Sequence, residues 1–267
     1  WSAEKGFAIV MNVNNGEILS LVSLPSYDPN RFWEYDQNDF KGWYTLDLFE
    51  PGSTFKPINL ALALEENIID KDGLVEDIGK IYVGGWMIAN WDELGNGLIN
   101  YPEVLQFSSN VGMVKIMSAL DPSTYWELLN KLGINEAIQT DVFESTPGYL
   151  KPKDIFLNQP IEQAVASFGQ GFSISPLKLA QLHAAIANGG NEVIPHITYE
   201  FKNEINNLDK ERYFSAEVSQ TILEWMESVV NEGTGVGAAI EGYRIGGKTG
   251  TSQKAINGIY TDKKTVS

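Results

Sequence analysis

The sequence contains no cysteine and only two histidines among its 267 residues. The absence of thiols excludes disulfide frameworks, cysteine nucleophiles, zinc fingers and iron–sulfur sites. The two histidines, His183 and His196, do not lie at a spacing typical of metal ligands such as HExxH. We therefore expect neither a metal site nor a cofactor.

Positive charge is also scarce, since 19 lysines and arginines stand against 35 acidic residues and the net charge is −16. A nucleic-acid backbone would be repelled by such a surface, so we expect no nucleic-acid partner. No apolar run approaches the roughly 20 residues that a membrane-spanning helix needs, and there is no signal-peptide pattern. The composition, with 43% hydrophobic and 20% charged residues, is that of a globular protein able to bury a core.

Strand patterns occur near both ends of the chain. Two β-branched runs, 6–13 and 17–22, flank an Asn-Gly turn and predict an antiparallel hairpin. A second strand region is predicted at about 243–252. The aromatic, acidic stretch from Pro25 to Pro51 predicts a long loop or short helices packed on the sheet.

Helical periodicity dominates the middle of the chain. From Phe55 to Leu64 the apolar residues cover nearly all sides, which predicts a buried helix. Further helices are predicted near 101–107, 110–119, 122–132, 160–167, 176–188 and 215–231. This order indicates an α+β fold, in which an antiparallel sheet built from distant segments is flanked by helices and carries an inserted helical lobe. Without repeats or linkers, we expect one domain over 1–267, with a sheet lobe at roughly 1–50 and 195–267 and a helical lobe at roughly 53–190.

Ser53 and Lys56 form a Ser-x-x-Lys motif at the predicted start of the buried helix. Residues three apart share one helix face, so the Lys56 amine can reach the Ser53 hydroxyl and act as its base. Pro57 fits the opening turn of a helix, where backbone donors lack intrahelical partners. The helix start favours negative charge on the serine oxygen, and burial would lower the pKa of the lysine toward that of a usable base.

The same spacing occurs twice more, so this motif alone does not identify a nucleophile. Ser2 and Lys5 lie at the chain end, and Ser175 is better interpreted as a helix cap followed by proline. Two further motifs follow in order, however, because Ser108–Asn110 is the only Ser-x-Asn and Lys248–Gly250 is the only Lys-Thr-Gly.

Each of these later motifs also has a plain structural interpretation: Ser108 and Asn110 fit a helix cap, and Lys248 fits a solvated strand residue. Together with Ser53 and Lys56 they form, in this order, the signature of serine acyltransferases related to penicillin-binding proteins and β-lactamases.

The likeness extends along almost the whole chain, which resembles a class B penicillin-binding protein. The stretches that carry the resemblance are 16–19, 25–30, 50–57, 108–112, 168–171, 176–180 and 233–235. The forms Ser108–Gly112, Phe168–Gly171 and Gly247–Lys254 are most similar to the division-specific subgroup, the septal peptidoglycan D,D-transpeptidases. The elongation-specific subgroup usually departs from Ser-Ser-Asn at the second motif.

The resemblance implies that the chain cross-links peptidoglycan stem peptides ending in D-Ala-D-Ala. Ser53 would attack the penultimate carbonyl and expel the terminal D-alanine, after which an amine from a second strand would attack the acyl-enzyme. Lys56 would accept the Ser53 proton, Ser108 would relay a proton to the leaving amine, and Asn110 would orient Lys56 and the acyl amide. β-Lactam antibiotics would acylate the same serine and be released slowly.

The resemblance also implies a substrate-binding strand. Lys248 would add positive potential, and the hydroxyls of Thr249 and Thr251 would hold the terminal carboxylate of the substrate at a site that Gly250 leaves open. The backbone N–H groups of Ser53 and Thr251 would form the oxyanion hole.

Some expected parts of such a protein are absent from this chain. The family continues past Lys-Thr-Gly into two more strands and a terminal helix, so we expect an exposed edge strand and a lower thermal stability than that of an extended version. The amino-terminal membrane anchor and pedestal are missing too; a location at the outer face of the bacterial cytoplasmic membrane, among division membrane proteins, rests on the resemblance. Trp43 stands where an arginine is expected.

Two other functions remain open at this point. A serine β-lactamase or D,D-carboxypeptidase would share Ser53, Lys56 and Lys248 but pass the acyl group to water. An inactive penicillin-binding module, serving as a scaffold or β-lactam sensor, would keep the pocket without turnover.

Overall fold

A computed structural model describes residues 3–142, 144–205, 208–256 and 259–267. Ser2, which belongs to the first Ser-x-x-Lys, lies outside the described residues. The α-helices of the described chain are α1 Trp43–Leu46, α2 Lys56–Glu65, α3 Tyr101–Gln106, α4 Asn110–Met117, α5 Pro122–Lys131, α6 Lys153–Asn158, α7 Pro160–Ala166, α8 Pro176–Ala187, α9 Tyr199–Ile205 and α10 Ala216–Glu232. The strands are β1 Gly6–Met11, β2 Ile18–Leu24, β3 Leu74–Asp77, β4 Lys80–Val83, β5 Trp86–Ala89, β6 Gly97–Asn100, β7 Thr251–Ile256 and β8 Ile259–Val266.

The strands form antiparallel pairs: β1 with β2, β3 with β6, β4 with β5, and β7 with β8. The α+β class is confirmed, and so is the first hairpin, in which Gly6 faces Leu24 and Val10 faces Ser20. Within the described residues these pairs are four separate two-stranded sheets, and β1–β2 and β7–β8 share no ladder. The edge of β2 is instead occupied near its start, where Ile18 N donates to His196 O at 2.8 Å. The expectation of an exposed edge on the strand after Lys-Thr-Gly is corrected on one side, because the following strand β8 pairs with β7.

The strand predicted at about 243–252 is wrong for most of its length, because β7 begins only at Thr251. Glycines explain the difference, as strands tolerate them poorly and these ones pack closely. A Cβ on Gly246 would lie 3.2 Å from Met226 Cβ, and Gly247 N donates to Met226 O at 3.1 Å. This segment therefore follows α10 instead of pairing as a strand.

The predicted helices all form, with ends within about two residues of the predicted ones. The segment from Pro25 to Pro51 holds two short 3₁₀-helices and α1, as expected. Trp43, at the start of α1, packs edge to face on Phe7 of β1 with ring centroids 5.0 Å apart, which ties this segment to the first hairpin. No element was predicted for segment 74–100, which forms β3 to β6, or for the segments that form α6 and α9. No helix in the part of the chain that the structure describes is long and apolar enough to cross a membrane.

Helix α2 runs through the main hydrophobic core and is buried from Lys56 to Ala63, as its apolar pattern predicts. Hydrogen bonds of Asn59 also fix the position of α2. The Asn59 amide donates to Ala166 O at 2.9 Å and to Ser167 O at 2.8 Å, while Tyr125 donates to Asn59 Oδ1 at 3.0 Å. Because the buried Asn59 amide is satisfied in this way, α2 is fixed against the carboxyl end of α7.

Candidate active site

Ser53 lies in a 3₁₀ turn, Gly52–Phe55, that leads directly into α2. This confirms the predicted helix start, and Pro57 occupies the opening turn of α2. The turn is held by backbone contact with the loop after α7, since Gly52 N donates to Gly169 O at 2.8 Å. A Cβ on Gly169 would lie 2.1 Å from Gly52 O, so only glycine allows the two backbones to approach so closely.

Lys56 is fully buried behind Ser53, and its amine has three acceptors. Lys56 Nζ donates to Ser108 O at 2.6 Å, to Asn110 Oδ1 at 2.8 Å and to Ser108 Oγ at 3.2 Å. A charged ammonium has three N–H groups, so all of them are occupied by the Ser-x-Asn motif. Among the described residues, Ser53 Oγ receives no hydrogen bond from this amine.

Burial holds the pKa of Lys56 well below its usual range. Repulsion from the Lys248 ammonium lowers the pKa further, whereas attraction to the Asp77 carboxylate raises it. A lysine with a depressed pKa is neutral in a larger fraction of molecules and then carries a lone pair. This is the property that a base for the Ser53 hydroxyl requires.

Ser108 and Ser109 occupy different backbone conformations at the start of α4. Ser109 is the N-cap and accepts from Gly112 N at 2.8 Å, so the helix-cap interpretation applies to Ser109 and not to Ser108. Ser108 has a φ of 56°, in the left-handed region that non-glycine residues rarely adopt. This conformation turns both its carbonyl and its hydroxyl toward Lys56.

The Lys-Thr-Gly motif, Lys248–Gly250, lies directly before β7. Partial burial lowers the pKa of Lys248 to about 8, and its amine donates to Thr249 O at 2.9 Å. Thr249 Oγ1 donates to Thr234 Oγ1 at 3.1 Å. A Cβ on Gly250 would meet Thr54 Cγ2 at 2.8 Å. This glycine is therefore required for close packing against the turn that carries Ser53, because any side chain at position 250 would point toward that turn.

Backbone donors suited to an oxyanion are present on both elements. Gly250 and Ser267 exchange two backbone hydrogen bonds, at 2.8 and 2.9 Å. In an antiparallel ladder the next position is not bonded across the pair, so the Thr251 N–H faces away from β8. Ser53 N lies in the first turn of its helix, where amides lack intrahelical partners.

A cavity of about 250 Å³ joins these elements. Six of the eight sequence-predicted site residues line it, namely Ser53, Ser108, Asn110, Thr249, Gly250 and Thr251. Lys56 lies behind its wall, and Lys248 lies beside Thr249 at its edge. The structure therefore brings all eight residues into one site.

Five further residues line the cavity although no role in the site was predicted for them: Gly52, Trp91, Phe168, Gln170 and Thr234. Phe168, Gln170 and Thr234 belong to stretches that carried the family resemblance, so a signal for them existed. Trp91 follows β5 in a segment with no predicted element, and no pattern marked it. No cluster of three or more His, Asp and Glu side chains able to hold a metal occurs among the residues that the structure describes.

A serine at a helix start, a buried lysine of lowered pKa behind it, a Ser-x-Asn turn and a Lys-Thr-Gly segment enclosing one cavity define a serine acyltransferase site. A family model of the penicillin binding protein transpeptidase domain matches residues 6–267. The chain belongs to this family.

Similar proteins bear this out. A peptidoglycan D,D-transpeptidase FtsI homolog of Mesostigma viride is 40% identical over 291 residues, covering 98% of this chain and 49% of the relative. Stage V sporulation protein D of Bacillus subtilis is 36% identical, covering 97% of this chain and 41% of the relative. The transpeptidase domain of Burkholderia pseudomallei penicillin-binding protein 3 superposes with a TM-score of 0.83 at 31% identity, covering 99% of this chain and 74% of that one. The chain spans about half the length of the curated relatives that it matches.

Proposed function

We propose that this chain carries out the D,D-transpeptidase reaction that cross-links peptidoglycan stem peptides ending in D-Ala-D-Ala. The observation that carries the proposal is the buried Lys56 amine, held between Ser108 and Asn110 directly behind the Ser53 turn. This arrangement supplies a nucleophile, a base of lowered pKa and a proton relay on one side of the cavity.

In the acylation step, Ser53 Oγ attacks the carbonyl carbon of the penultimate D-alanine. Its proton passes to neutral Lys56, and the carbonyl oxygen becomes an oxyanion that the N–H groups of Ser53 and Thr251 stabilise. The C–N bond to the terminal D-alanine then breaks. Ser108, which accepts from Lys56 Nζ at 3.2 Å, passes a proton from that amine to the leaving nitrogen.

The second step reverses these proton movements. The amine of an acceptor peptide attacks the Ser53 ester and loses a proton to the Lys56–Ser108 pair, and a new amide bond forms as Ser53 regains its proton. Asn110 keeps Lys56 in place, because its Oδ1 accepts from the amine while its Nδ2 donates to Ala89 O at 2.9 Å.

The carboxylate of the donor peptide would lie against the Lys-Thr-Gly segment. Lys248 contributes positive potential there, and the hydroxyls of Thr249 and Thr251 donate to the carboxylate. When the Thr249 proton is directed to the carboxylate, Thr249 Oγ1 becomes the acceptor of the 3.1 Å hydroxyl contact with Thr234, which supports its side chain. Gly250 keeps the strand packed against Thr54, which sets the distance from this segment to Ser53.

The names of the relatives support a proposal for the cellular setting. Several of them are named FtsI, and one is named stage V sporulation protein D. We propose a role in cross-linking septal peptidoglycan at the outer face of the cytoplasmic membrane, with division membrane proteins as partners. We also propose that 1–267 forms one domain with the sheet and helical lobes given above.

Covalent labelling by a fluorescent penicillin tests the chemistry. The matched variants are Ser53→Ala and Ser175→Ala, because Ser175 has the same Ser-x-x-Lys spacing but caps α8 through Lys178 N at 3.2 Å. We expect stable labelling of the wild-type protein and of Ser175→Ala, and none of Ser53→Ala. The labelling rate should fall at acid pH, since protonated Lys56 cannot accept the serine proton.

Other outcomes point to the other functions. A protein that labels and then clears the drug within seconds to minutes is a β-lactamase or carboxypeptidase. A folded protein that never labels is a binding module. Release of D-alanine with formation of a cross-linked dimer from purified stem peptides, against hydrolysis alone, separates the transpeptidase from the hydrolase.

A further inference from the structure

Asp77, at the end of β3, is a buried carboxylate with 1% of its surface exposed. It forms no salt bridge within the described residues. Three donor groups satisfy it instead: Gly79 N at 2.9 Å, Asn96 Nδ2 at 2.7 Å, and Asn90 Nδ2 at 2.8 Å from each carboxylate oxygen. A buried charge without a basic partner is costly, so this arrangement calls for a functional reason.

Asn90 links Asp77 to the second motif. It is buried, with 4% of its surface exposed, and lies directly after β5. Its Oδ1 accepts from Asn110 N at 2.9 Å, from Val111 N at 3.2 Å and from Ser109 Oγ at 3.4 Å. Asn90 therefore satisfies the free backbone donors at the start of α4 from outside the helix.

The Asp77 carboxylate and Leu94 O, which accepts from Asn90 Nδ2 at 2.9 Å, together determine which way the Asn90 amide points. An ionised Asp accepts hydrogen bonds and donates none, so it accepts only the NH₂ end of Asn90. That choice directs the Asn90 oxygen toward the amides of Asn110 and Val111. With the amide reversed, an NH₂ group would face those N–H groups and the contact would be repulsive.

From Asn110 the contacts continue to the base. Asn110 Nδ2 donates to Ala89 O at 2.9 Å, and its Oδ1 accepts from Lys56 Nζ at 2.8 Å. We infer that Asp77 and Asn90 form a positioning pair for the proposed reaction: the Asp77 charge orients the Asn90 amide, which places Asn110 and Ser108 against Lys56. Neither residue touches the substrate cavity, so neither is a catalytic residue. The inference rests on the proposed function.

Asp77 also acts on the Lys56 amine through its negative charge. Of the charged groups that act on Lys56 within the described chain, Lys248 lowers the pKa of the amine and Asp77 raises it. Removing the Asp77 charge should therefore lower the pKa of Lys56 further. The acid limb of the acylation rate would then move to lower pH, which a purely structural contact would not cause.

The test compares Asp77→Asn with Glu76→Gln in the intact protein. Glu76 is the neighbouring exposed carboxylate of β3, and its ion pair within the described residues is with Lys115 at 3.2 Å, so it controls for the loss of one charge. The measurement is the second-order rate constant of acylation by a fluorescent penicillin as a function of pH. We expect Asp77→Asn to lower the plateau of this rate constant about tenfold or more. The acid limb of the profile, where the rate constant falls with falling pH, should shift to lower pH. Glu76→Gln should leave both unchanged.

A double variant separates positioning from general damage. Asp77→Asn combined with Asn90→Asp puts an acceptor-only carboxylate beside the amides of Asn110 and Val111, and the amide at position 77 can donate to it. Because this double variant loses the donation to Leu94 O that Asn90 Nδ2 makes at 2.9 Å, we expect it to recover part of the lost acylation rate constant and to return the acid limb toward that of the wild type. If Asp77→Asn does not fold, Asn96→Ala removes one exposed donor to the carboxylate and should lower the plateau by a smaller factor in the same direction.

Two results would overturn the inference. In the first, Asp77→Asn has the same plateau rate constant and the same acid limb as the wild type. In the second, Asp77→Asn lowers the plateau rate constant and the double variant does not raise it. A wild-type protein that folds but never labels would instead count against the proposed function. In that case hydrogen exchange decides the inference, because the amides of Asn110 and Val111 should exchange faster in Asp77→Asn and not in Glu76→Gln.

Discussion

Ser108 and Ser109 are adjacent serines, of which Ser109 caps helix α4 and Ser108 contacts the Lys56 amine. Ser109 is fully buried and closes the first turn of α4 through Gly112 N. Ser108 is held in a left-handed conformation that presents its hydroxyl to Lys56 at 3.2 Å. Alanine substitutions should therefore separate stability from chemistry at neighbouring positions.

For Ser109→Ala we expect the free energy of unfolding to fall by about 1 kcal/mol, because a helix N-cap is lost. For Ser108→Ala we expect nearly unchanged stability and an acylation rate lowered by about a hundredfold or more, because the proton relay is lost. Urea unfolding and penicillin labelling measure the two quantities. Equal loss of acylation in both variants would show that the proposed division of tasks is wrong.

The Ser-x-x-Lys and Ser-x-Asn motifs could be recognised from spacing because each is local. The conformation of Ser108 could not, because its φ of 56° carries no mark in a Ser-Ser-Asn sequence. The depressed pKa of Lys56 was expected from burial at the helix start, but the opposing effects of Lys248 and Asp77 were not. Those effects depend on residues far away in the chain.

The loop after α7 and the nucleophile turn meet through their backbones. Gly169 has a φ of 82°, and its place against Gly52 leaves no room for a Cβ. Gly85, in the turn between β4 and β5, has a similar φ of 87° but open space around it. The two glycines thus form a matched pair that separates conformational strain from close contact.

We expect Gly85→Ala to cost roughly 1 kcal/mol of stability, from left-handed strain alone, with acylation unchanged. Gly169→Ala should cost more than about 2 kcal/mol and slow acylation, because the turn that carries Ser53 must move. Thermal unfolding and labelling rates provide the comparison. The contact has no role in the site if Gly169→Ala acylates like Gly85→Ala.

The sequence predicted the helices more accurately than the strands. Helices such as α8 and α10 carry proline or serine at the start and apolar residues at helical spacing, so they were predicted closely. The four-residue strands β4 and β5 were missed because their exposed positions include the aromatic residues Tyr82 and Trp86, so the sequence shows no alternation of polar and apolar residues. The strand predicted at 243–252 failed where glycines pack against α10.

Lys178, on α8, connects stability of the whole molecule to pH. It is buried, with 7% of its surface exposed, and burial lowers its pKa to about 8 against the opposing attraction of Glu192 and Glu136. The unfolded chain would hold this proton up to about pH 10.4. Below pH 8 the amine is charged in both states, and the folded state carries the full desolvation cost.

As pH rises from 8 to about 10.4 the folded state releases this proton first, so the free energy of unfolding should rise, by up to about 3 kcal/mol. Lys178→Met should remove the contribution of Lys178 to this rise, while Lys131→Met, at an exposed position of α5, should keep it. Urea unfolding at several pH values gives the slopes. Lys248, whose pKa is also about 8, contributes in the same direction in all three proteins, so the difference between them isolates Lys178.

Amino-acid order alone was enough to predict the fold class, the helices apart from α6 and α9, and the set of motifs that marks the family. These depend on interactions between neighbours in the chain: helical spacing, capping and turn chemistry. Long-range packing determined the rest, including the partners of the Lys56 amine, the contact of Gly169 with Gly52, and the link from Asp77 through Asn90 to the second motif. Those contacts join residues from 13 to more than 100 positions apart, and no local pattern encodes which distant groups a folded chain brings together.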